Sequence, residues 1–307
     1  MSKIFHLLKK ILKYFKKICK VVYNFLPNIY LRKKYKKIKI LSSEETINYI
    51  INNKVSVSRF GDGEMFIIEK ESGIGFQDVD ENLSRESYEV LKSDADDKIL
   101  ICIPKWMFDK NELNKRTNKS KKWCKEYLRT HFRNWCEKIN INYTYGDTSF
   151  NRRYVSMKSK DNSKNYYEKL KEIWKDRDIC IVEGEKTRIG IGNDLIDCAK
   201  SVKRIIAPAE NAYKKINEII AECRKLNKDI LFLCALGPTA TVLSYKLAKL
   251  GYQAIDIGHI DVEYEWLLMK ADSVVPIKNK YVNEANSKDE GDNFKDTKYE
   301  SEIIARV

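Results

Sequence analysis

Apolar runs of strand length alternate with helical patterns through the second half of the chain, and this alternation constrains the fold more than any other feature. The strand-like runs are DICIVEG, RIIAP, DILFLCAL and QAIDIG, at 178–184, 204–208, 229–236 and 253–258. The helical patterns that separate and follow them cover 193–202, 211–227, 238–250 and 261–270. Continuous apolar strands separated by helices are typical of βαβ units and of a parallel sheet that is buried on both faces. We therefore predict an α/β fold on a mostly parallel sheet.

The first half of the chain carries weaker signals for the same sheet. Ser42 and Glu45 have capping-box spacing, which predicts a short helix over 42–52. The runs KVSVS (54–58) and KILICIP (98–104) predict two further strands, and the aromatic-rich stretch 120–139 predicts a helix.

The positive charge of the chain is concentrated at its N-terminus. Lys and Arg number 58 against 44 Asp and Glu, which gives a formal net charge of +14. Residues 1–40 contain 13 of these basic residues and no acidic residue, so the remainder is nearly balanced in charge. A balanced body disfavours a nucleic-acid groove spread over the fold, because such a groove needs clustered Lys and Arg.

Residues 3–25 have the pattern of a basic amphipathic helix, with lysines between the apolar positions. The apolar positions at helical spacing are Ile4, Leu8, Ile11, Phe15, Cys19 and Val22. The longest uncharged run, residues 21–31, has 11 residues, and a bilayer span needs about 20. We expect residues 1–40 to bind an anionic membrane surface, where each basic residue contributes about 1 kcal/mol. The alternatives are packing against the chain's own domain, a protein partner or a nucleic acid.

The cysteines and the N-terminus indicate a reducing compartment. None of the eight cysteines forms a C-x-x-C pair, and several lie in apolar runs, which is typical of reduced core residues rather than metal ligands. The N-terminus has no apolar core of a signal peptide followed by a cleavage site. We expect a cytoplasmic protein attached peripherally to the inner face of the cell membrane.

Polar side chains follow the predicted strands, where ligands of an open α/β sheet bind. After 54–58 come Arg59, Asp62 and Glu64, in the order RFGDGE. Two carboxylates two residues apart in a tight glycine-flanked loop can both face one Mg²⁺ or Mn²⁺ ion, which leaves positions for water and phosphate oxygens. We therefore predict a metal site at Asp62 and Glu64, with Arg59 near a phosphate.

The loops after the later strands supply candidate nucleotide ligands. The loop EGEKTRIGIGND (183–194) has neither a Walker A ending nor a dinucleotide fingerprint, but its glycines can expose N–H groups to an anion. In ALGPTAT, Pro238 suits the first turn of a helix, and a helix N-terminus suits a phosphate. The candidate nucleotide-binding residues are Arg59, Glu185, Lys186, Thr187, Arg188, Asn193, Asn211, Gly237, Pro238 and Thr239.

The segment GHIDVEYEW carries the candidate catalytic residues His259, Asp261 and Glu263. If this segment continues the strand before it, alternation places the three side chains on one side. A histidine beside two carboxylates is a candidate general base.

Together these residues resemble one known family. The segments SRFGDGE, VEGEKTRIGIGNDL, RIIAPAENAY, the long run from ALGPTAT to HIDVEYEW, and KYVNEAN are similar to the bacterial glycosyltransferases of the GT-D fold. The resemblance covers roughly residues 43–285. It implies a Rossmann-like domain over 41–285, a nucleotide-sugar donor such as UDP-glucose, and a divalent metal, typically Mn²⁺, held by a D-x-E motif that corresponds to Asp62 and Glu64. The basic arm (1–40) and a polar C-terminal tail (286–307) lie outside it.

The expected function is a metal-dependent hexosyltransferase. It would move glucose or galactose from a UDP-sugar to a glycan acceptor, lipid-linked acceptors included, in cell-surface polysaccharide or glycoprotein biosynthesis. One of the carboxylates or His259 would deprotonate the acceptor if the reaction inverts, and the sequence leaves inversion and retention open. The alternatives are a metal-dependent phosphoester hydrolase and a non-catalytic membrane-surface adaptor that binds a nucleotide.

Overall fold

A single parallel sheet organises the part of the chain that the computed structural model describes, which is residues 10–12, 14–15, 19, 28–93, 98–285 and 295–307. Within these residues the sheet has nine strands in the order β1-β4-β3-β2-β8-β7-β5-β6-β9, and every pairing is parallel. The strands are β1 (Lys39–Ile40), β2 (Ser56–Arg59), β3 (Ile99–Ile103), β4 (Thr144–Asp147), β5 (Asp178–Gly184), β6 (Ser201–Ala207), β7 (Leu231–Ala235), β8 (Gln253–Asp256) and β9 (Ile303–Arg306).

Helices connect the strands and cover both faces of the sheet. They are α1 (Ser43–Asn53), α2 (Asp62–Ile68), α3 (Glu81–Lys92), α4 (Lys110–Asn114), α5 (Asn118–Lys138), α6 (Ser163–Lys171), α7 (Ile216–Cys223), α8 (Pro238–Lys249), α9 (Ile260–Leu268) and α10 (Thr297–Glu302). Alternate residues of one strand enter different cores: Ile179 and Ile181 of β5 pack with α1, α6 and α9, whereas Cys180 and Val182 pack with α7 and α8. Burial on both faces explains the unbroken apolar runs in the sequence.

The predicted fold class is confirmed, and most predicted elements are present. The capping box at Ser42 and Glu45 forms as expected, with each residue's backbone N–H bonded to the other's side chain. The helix predicted over 193–202 is wrong, because residues 190–200 form successive turns. Tertiary hydrogen bonds replace the helical ones there: the Gly190 N–H donates to the Asp261 carboxylate at 2.8 Å.

Two predictions about site segments also differ from the structure. Asp62 and Glu64 do not lie in a tight loop but in the first turn of helix α2. The segment after β8 turns into helix α9 directly, so His259, Asp261 and Glu263 do not alternate as strand residues would.

Residues 28–40, which the sequence assigned to the basic arm, pack on the folded body. Tyr35 is buried in the core around α5, and its hydroxyl donates to the Cys136 carbonyl. Strand β1 pairs with β4 at the edge of the sheet. Most of the predicted amphipathic helix lies outside the described residues; of the part that is described, residues 10–12, 14–15 and 19 are helical and exposed. Within the described residues, no helix is both long enough and apolar enough to cross a membrane.

The C-terminal segment, which was predicted to be a polar tail, contains regular secondary structure. Residues 286–294 lie outside the described residues, but α10 and β9 follow them. Strand β9 pairs with β6 and completes the far edge of the sheet. Its alternating half-buried and exposed residues are typical of an edge strand.

Candidate active site

A cavity of about 570 Å³ lies along the carboxyl edge of the sheet. Its lining includes a residue that follows each of the strands from β2 to β8: Asp62, Pro104, Thr148, Glu185, Pro208, Leu236 and His259. The middle of the cavity lies over the neighbouring strands β2 and β8. After β2 the chain continues to β3, toward one edge of the sheet, whereas after β8 it continues to β9 at the opposite edge. Parallel α/β sheets bind their ligands at such a switch point.

An ion pair between Arg59 and Asp256 spans this switch point. The Arg59 guanidinium donates to Asp256 Oδ1 at 3.0 Å and to the Asp256 carbonyl at 2.9 Å, and it also donates to Asn151 Oδ1 at 3.1 Å. Gly258 makes room for the pair, because a Cβ there would lie 1.9 Å from Arg59 Nη2. Arg59 lines the cavity, as expected of a residue near a phosphate, but its charge is already paired.

The two carboxylates of the D-x-E segment both line the cavity. Glu64 Oε2 accepts from the Gly61 N–H at 2.7 Å. Burial, reinforced by the charge of Asp256, raises the pKa of Glu64 to about 7, and burial also raises the pKa of Asp62. Both carboxylates therefore lack enough nearby positive charge for their burial.

The donor chemistry of these two side chains fits a divalent cation. Carboxylate oxygens are hard ligands that Mg²⁺ and Mn²⁺ prefer, and the cation would supply the missing positive charge. No group of three His, Cys, Asp or Glu side chains suited to a metal occurs within the described part of the chain. The remaining ligands would therefore be water and substrate oxygens, as is usual for Mg²⁺.

The loop after β5 is held by buried charges beneath it. Glu183 pairs with Arg204 at 2.7 Å and accepts from the Ile189 N–H at 2.8 Å. Glu185 and Thr187, two of the predicted nucleotide ligands, line the cavity. Lys186 and Arg188 are not among the described residues that line it; both have left-handed backbone conformations.

Asp261 belongs to a buried network and also reaches the cavity wall. It pairs with Lys280 at 2.6 Å and accepts from Asn193 Nδ2 at 2.9 Å. Glu265, one helical turn later, contacts the same Lys280 and Asn193. The network fixes the loop before β6 to helix α9, and Asn193, a predicted nucleotide ligand, serves in it rather than in the cavity lining.

His259 and Glu263, the other predicted catalytic residues, face different partners. His259 lines the cavity, and its Nδ1 lies 3.0 Å from Glu284 Oε1. Glu263 is buried and accepts from the Tyr154 and Val155 backbone N–H groups at 3.0 and 3.1 Å. The structure thus brings His259 and Asp261 to the cavity wall but leaves Glu263 behind it.

A strap of residues 73–78 covers the cavity end near β6 and β7. The Phe76 ring lies over Gly237, where a Cβ would approach it to 2.3 Å. The Asn211 side chain holds the strap by accepting from the Asp78 N–H at 2.8 Å. Thr239 is buried and donates to Gln77 Oε1 at 3.4 Å. Of the residues predicted here, Gly237 lines the cavity, whereas Asn211, Pro238 and Thr239 support it from behind.

Sequence reasoning missed several residues that line the cavity or anchor its wall. Asp256 ends β8 but lay inside the strand predicted at 253–258, so the strand-end rule passed over it. Glu284 lies in the segment KYVNEAN, which carried the resemblance but no assigned role. The others lie on segments without a motif and reach the cavity only through the fold: Phe76, Trp106, Arg116, Trp123 and Arg152.

Comparisons with known proteins agree with this architecture. The sequence profile of the family described as glycosyltransferase GT-D fold matches residues 57–285. The chain is 37% identical over 270 residues to the glycosyltransferase GlyD of Streptococcus pneumoniae serotype 4, and 37% identical over 272 residues to the probable glycosyl transferase Gly of Streptococcus gordonii. The alignments cover 88% and 89% of this chain but only 33% and 39% of the relatives, so the chain spans little more than a third of their length.

Solved structures give the same result at the level of the fold. One, described as the highly conserved domain of unknown function 1792 with a distinct glycosyltransferase fold, is 36% identical, with a TM-score of 0.83 over 91% of this chain and 99% of that chain. A second, described as a new glycosyltransferase (DUF1792) from Streptococcus sanguinis, is 36% identical, with a TM-score of 0.81 over 88% of this chain and 99% of that chain.

Proposed function

The chain belongs to the glycosyltransferase GT-D fold family, and on that premise we propose that it transfers a hexose, glucose or galactose, from a UDP-sugar to a glycan acceptor in a metal-dependent reaction. The observation that carries the proposal is the cavity over the β2–β8 switch point, with two charge-deficient carboxylates, Asp62 and Glu64, in its wall. A sugar diphosphate together with a divalent cation complements that wall in charge and in size.

The donor would lie across the carboxyl ends of β5, β7 and β8. The backbone around Gly184 and Gly237 lines this part of the cavity, together with Thr187. Helix α8 begins directly after Gly237, so its N-terminal dipole favours a nearby phosphate. The sugar would then point toward the switch point.

The chain's own residues would control charge and proton movement during transfer. A bound Mn²⁺ or Mg²⁺ held by Asp62 and Glu64 would supply positive charge to the departing diphosphate. His259 lines the cavity with Glu284 orienting its ring at 3.0 Å, so it is our first candidate to accept the proton of the acceptor hydroxyl if transfer inverts the anomeric centre. Asp261 is the second candidate, although its two oxygens already serve Lys280, Asn193 and Gly190.

We further propose that residues before 28 attach the enzyme to an anionic cytoplasmic membrane face. The described part of this segment exposes Ile11, Leu12 and Phe15, each more than half exposed, beside a sequence rich in lysine. Exposed apolar side chains next to clustered lysines are what an interfacial helix needs. Attachment would bring the active site close to a lipid-linked glycan of a cell-surface polysaccharide or glycoprotein pathway.

A panel of nucleotide sugars tests the proposal. The full chain is incubated with each donor in Mn²⁺ and, in parallel, in excess chelator, and the release of nucleoside diphosphate is followed. We expect slow hydrolysis of one or two UDP-hexoses that stops when the metal is removed. Binding of none of the donors, or turnover that is unaffected by chelation, would overturn the donor or the metal assignment respectively.

A further inference from the structure

The cavity extends well beyond the carboxyl ends of β5, β7 and β8, where we place the donor. It continues past the switch point to the carboxyl ends of β3 and β4, where Trp106, Arg116, Ser120 and Trp123 line it. From β3 to β5 there are four strand intervals, or about 19 Å at the usual spacing of parallel strands. One end of the cavity is therefore left for a second substrate when a nucleotide occupies the other end.

Trp123 is an unusually exposed aromatic residue for a cavity wall. Its side chain is 46% exposed, whereas Trp106 beside it is 8% exposed. The Tyr127 ring stacks on Trp123, with centroids 5.3 Å apart and an interplanar angle of 16°. Tyr127 covers one face of the indole, so the exposed area includes the opposite face.

The platform beneath this indole is rigid. Tyr127 stacks in turn on His131 at 4.4 Å, and Trp123, Tyr127 and His131 follow one another at four-residue spacing along helix α5. Trp106 packs edge-on against Trp123 at 6.1 Å. A flat aromatic surface held by its neighbours binds the apolar C–H face of a pyranose ring at little entropic cost.

Arg116 adds polar donors to the same end of the cavity. Its guanidinium lies over the Trp106 ring at 5.4 Å and donates to Ser149 Oγ at 3.0 Å and to Ser120 Oγ at 3.4 Å. Among the described residues these hydroxyls are its hydrogen-bond acceptors, and no carboxylate pairs with it, in contrast to Arg59 and Arg152. A guanidinium has five N–H donors, so Arg116 retains donors for a ligand.

We propose that Trp123, Trp106 and Arg116 form the acceptor subsite, in which a saccharide ring stacks on the Trp123 indole and Arg116 donates to its oxygen substituents. This inference rests on the proposed function, because it takes the other end of the cavity as the donor site. Asp62 and His259 lie in the wall between the two ends. An acceptor hydroxyl that extends from the platform toward the switch point would therefore reach the transferred sugar.

Binding experiments with separate donor and acceptor probes test the subsite. Methyl glucoside and methyl galactoside serve as acceptor probes in saturation-transfer NMR with the full chain, Mn²⁺ and saturating UDP. UDP itself is titrated by calorimetry. The variants are Trp123→Ala, Trp123→Phe and Arg116→Gln, and Lys125→Ala, an exposed residue on the same helix, is the matched control.

We expect Trp123→Ala to weaken hexoside binding at least fivefold, Trp123→Phe to retain most of it, and Arg116→Gln to weaken it severalfold. UDP affinity should change less than twofold in every variant, and Lys125→Ala should match the wild type. The inference is overturned if the wild type binds neither hexoside, if Trp123→Ala binds them normally, or if the affinity for UDP falls in parallel with that for the hexoside. Failure of the wild type to bind UDP would instead contradict the proposed donor, whatever the hexoside result.

Discussion

At the residue scale, the charged side chains of the cavity divide into those that hold the fold and those that lack a compensating charge. Arg59 holds β2 to β8 through Asp256, and Arg152 holds the 281–285 segment through Glu284 at 2.9 Å. Asp62 and Glu64 are partly exposed carboxylates in the cavity wall, and desolvation raises the pKa of each, most for Glu64, where the charge of Asp256 adds to it. Mutations can therefore test the ion pairs that stabilise the fold separately from the two carboxylates proposed to bind the metal.

Gly258 should be essential because any side chain at this position would clash with Arg59, in addition to the strain of its positive φ. Gly258→Ala places a methyl group against the Arg59 guanidinium at a φ of +47°, so we expect a loss of about 2–4 kcal/mol in unfolding free energy, and loss of turnover. Gly251→Ala is the matched control, since its φ is +86° and no heavy atom lies within 4 Å of the added Cβ. It should cost only about 1 kcal/mol. Equal costs in urea denaturation would show that Arg59 moves aside freely.

Glu284 should make the stability of the protein sensitive to acid. Burial alone would raise the pKa of Glu284, but His259, when its ring is protonated at acid pH, and Arg152 together lower it far below its usual value. A carboxylate with a lowered folded-state pKa stabilises the fold above its unfolded pKa of about 4.3, and this contribution is lost as the pH falls below that value.

We therefore expect Glu284→Gln to lower the unfolding free energy by about 1–2 kcal/mol at pH 6, and its difference from the wild type to narrow steadily as the pH falls from about 4.3 to 3. Urea midpoints measured from pH 3 to pH 6 provide the comparison. Glu300→Gln, which breaks an exposed pair with Arg306, should leave the pH dependence unchanged. Parallel curves for the wild type and Glu284→Gln would contradict the assigned ion pairs.

At the element scale, the folded body begins near residue 28 rather than after residue 40. Asn28, Leu31 and Tyr35 contact helix α5 or the core around it, and β1 protects β4 from becoming an exposed edge strand. The sequence does not indicate this boundary, because basic residues occur both in the arm and in residues 28–40.

Two truncations should therefore behave differently. Removal of residues 1–27 should leave the melting temperature within a few degrees of the full chain. Removal of residues 1–40 also deletes β1 and the buried Tyr35, and we expect a loss of at least about 3 kcal/mol in unfolding free energy. Thermal and urea unfolding of the two truncated chains makes the comparison, and equal stability would refute the assignment of residues 28–40 to the body.

The sequence predicted the elements whose signals are local. The buried strands β5 to β8 and helix α8 have continuous apolar runs or clear periodicity, and they form where expected. Strand β4 was missed because its four residues include Gly146 and few apolar side chains. Strand β9 was missed because it has only four residues, IIAR, and follows a long polar segment. The helix predicted at 193–202 failed because Asp261 and Glu265, distant in sequence, bind Gly190 and Asn193 of this loop.

The same limit applies to the candidate site. Strand-end residues such as Asp62, Glu185 and His259 were predictable, because the sheet brings all carboxyl ends to one edge. Roles within that edge were not predictable, since they depend on pairings such as Asn193 with Glu265 or Glu263 with the backbone at Tyr154. The aromatic platform arises from one face of α5 and could be recognised only after β3 was placed beside it.

At the scale of the whole molecule, the charge is asymmetric and should direct the enzyme to a surface. The full chain should sediment with anionic vesicles in low salt, and the chain lacking residues 1–27 should not, because that segment carries the lysine-rich sequence with the amphipathic pattern. Turnover of a soluble donor should be the same in both. Vesicle binding that survives the truncation would place the membrane contact elsewhere on the molecule.

Metal binding by Asp62 and Glu64 in support of sugar transfer is tested most directly by donor turnover in Asp62→Asn and Glu64→Gln at increasing Mn²⁺. Each substitution preserves shape, and the amide oxygen that Glu64→Gln introduces can still accept the hydrogen bond from the Gly61 N–H. We predict at least a hundredfold lower turnover with an unchanged melting temperature. Glu69→Gln, at the other end of α2 and paired with Lys138, is the control that should remain active. Full turnover in either Asp62→Asn or Glu64→Gln, with Mn²⁺ still required, would show that these carboxylates do not hold the metal.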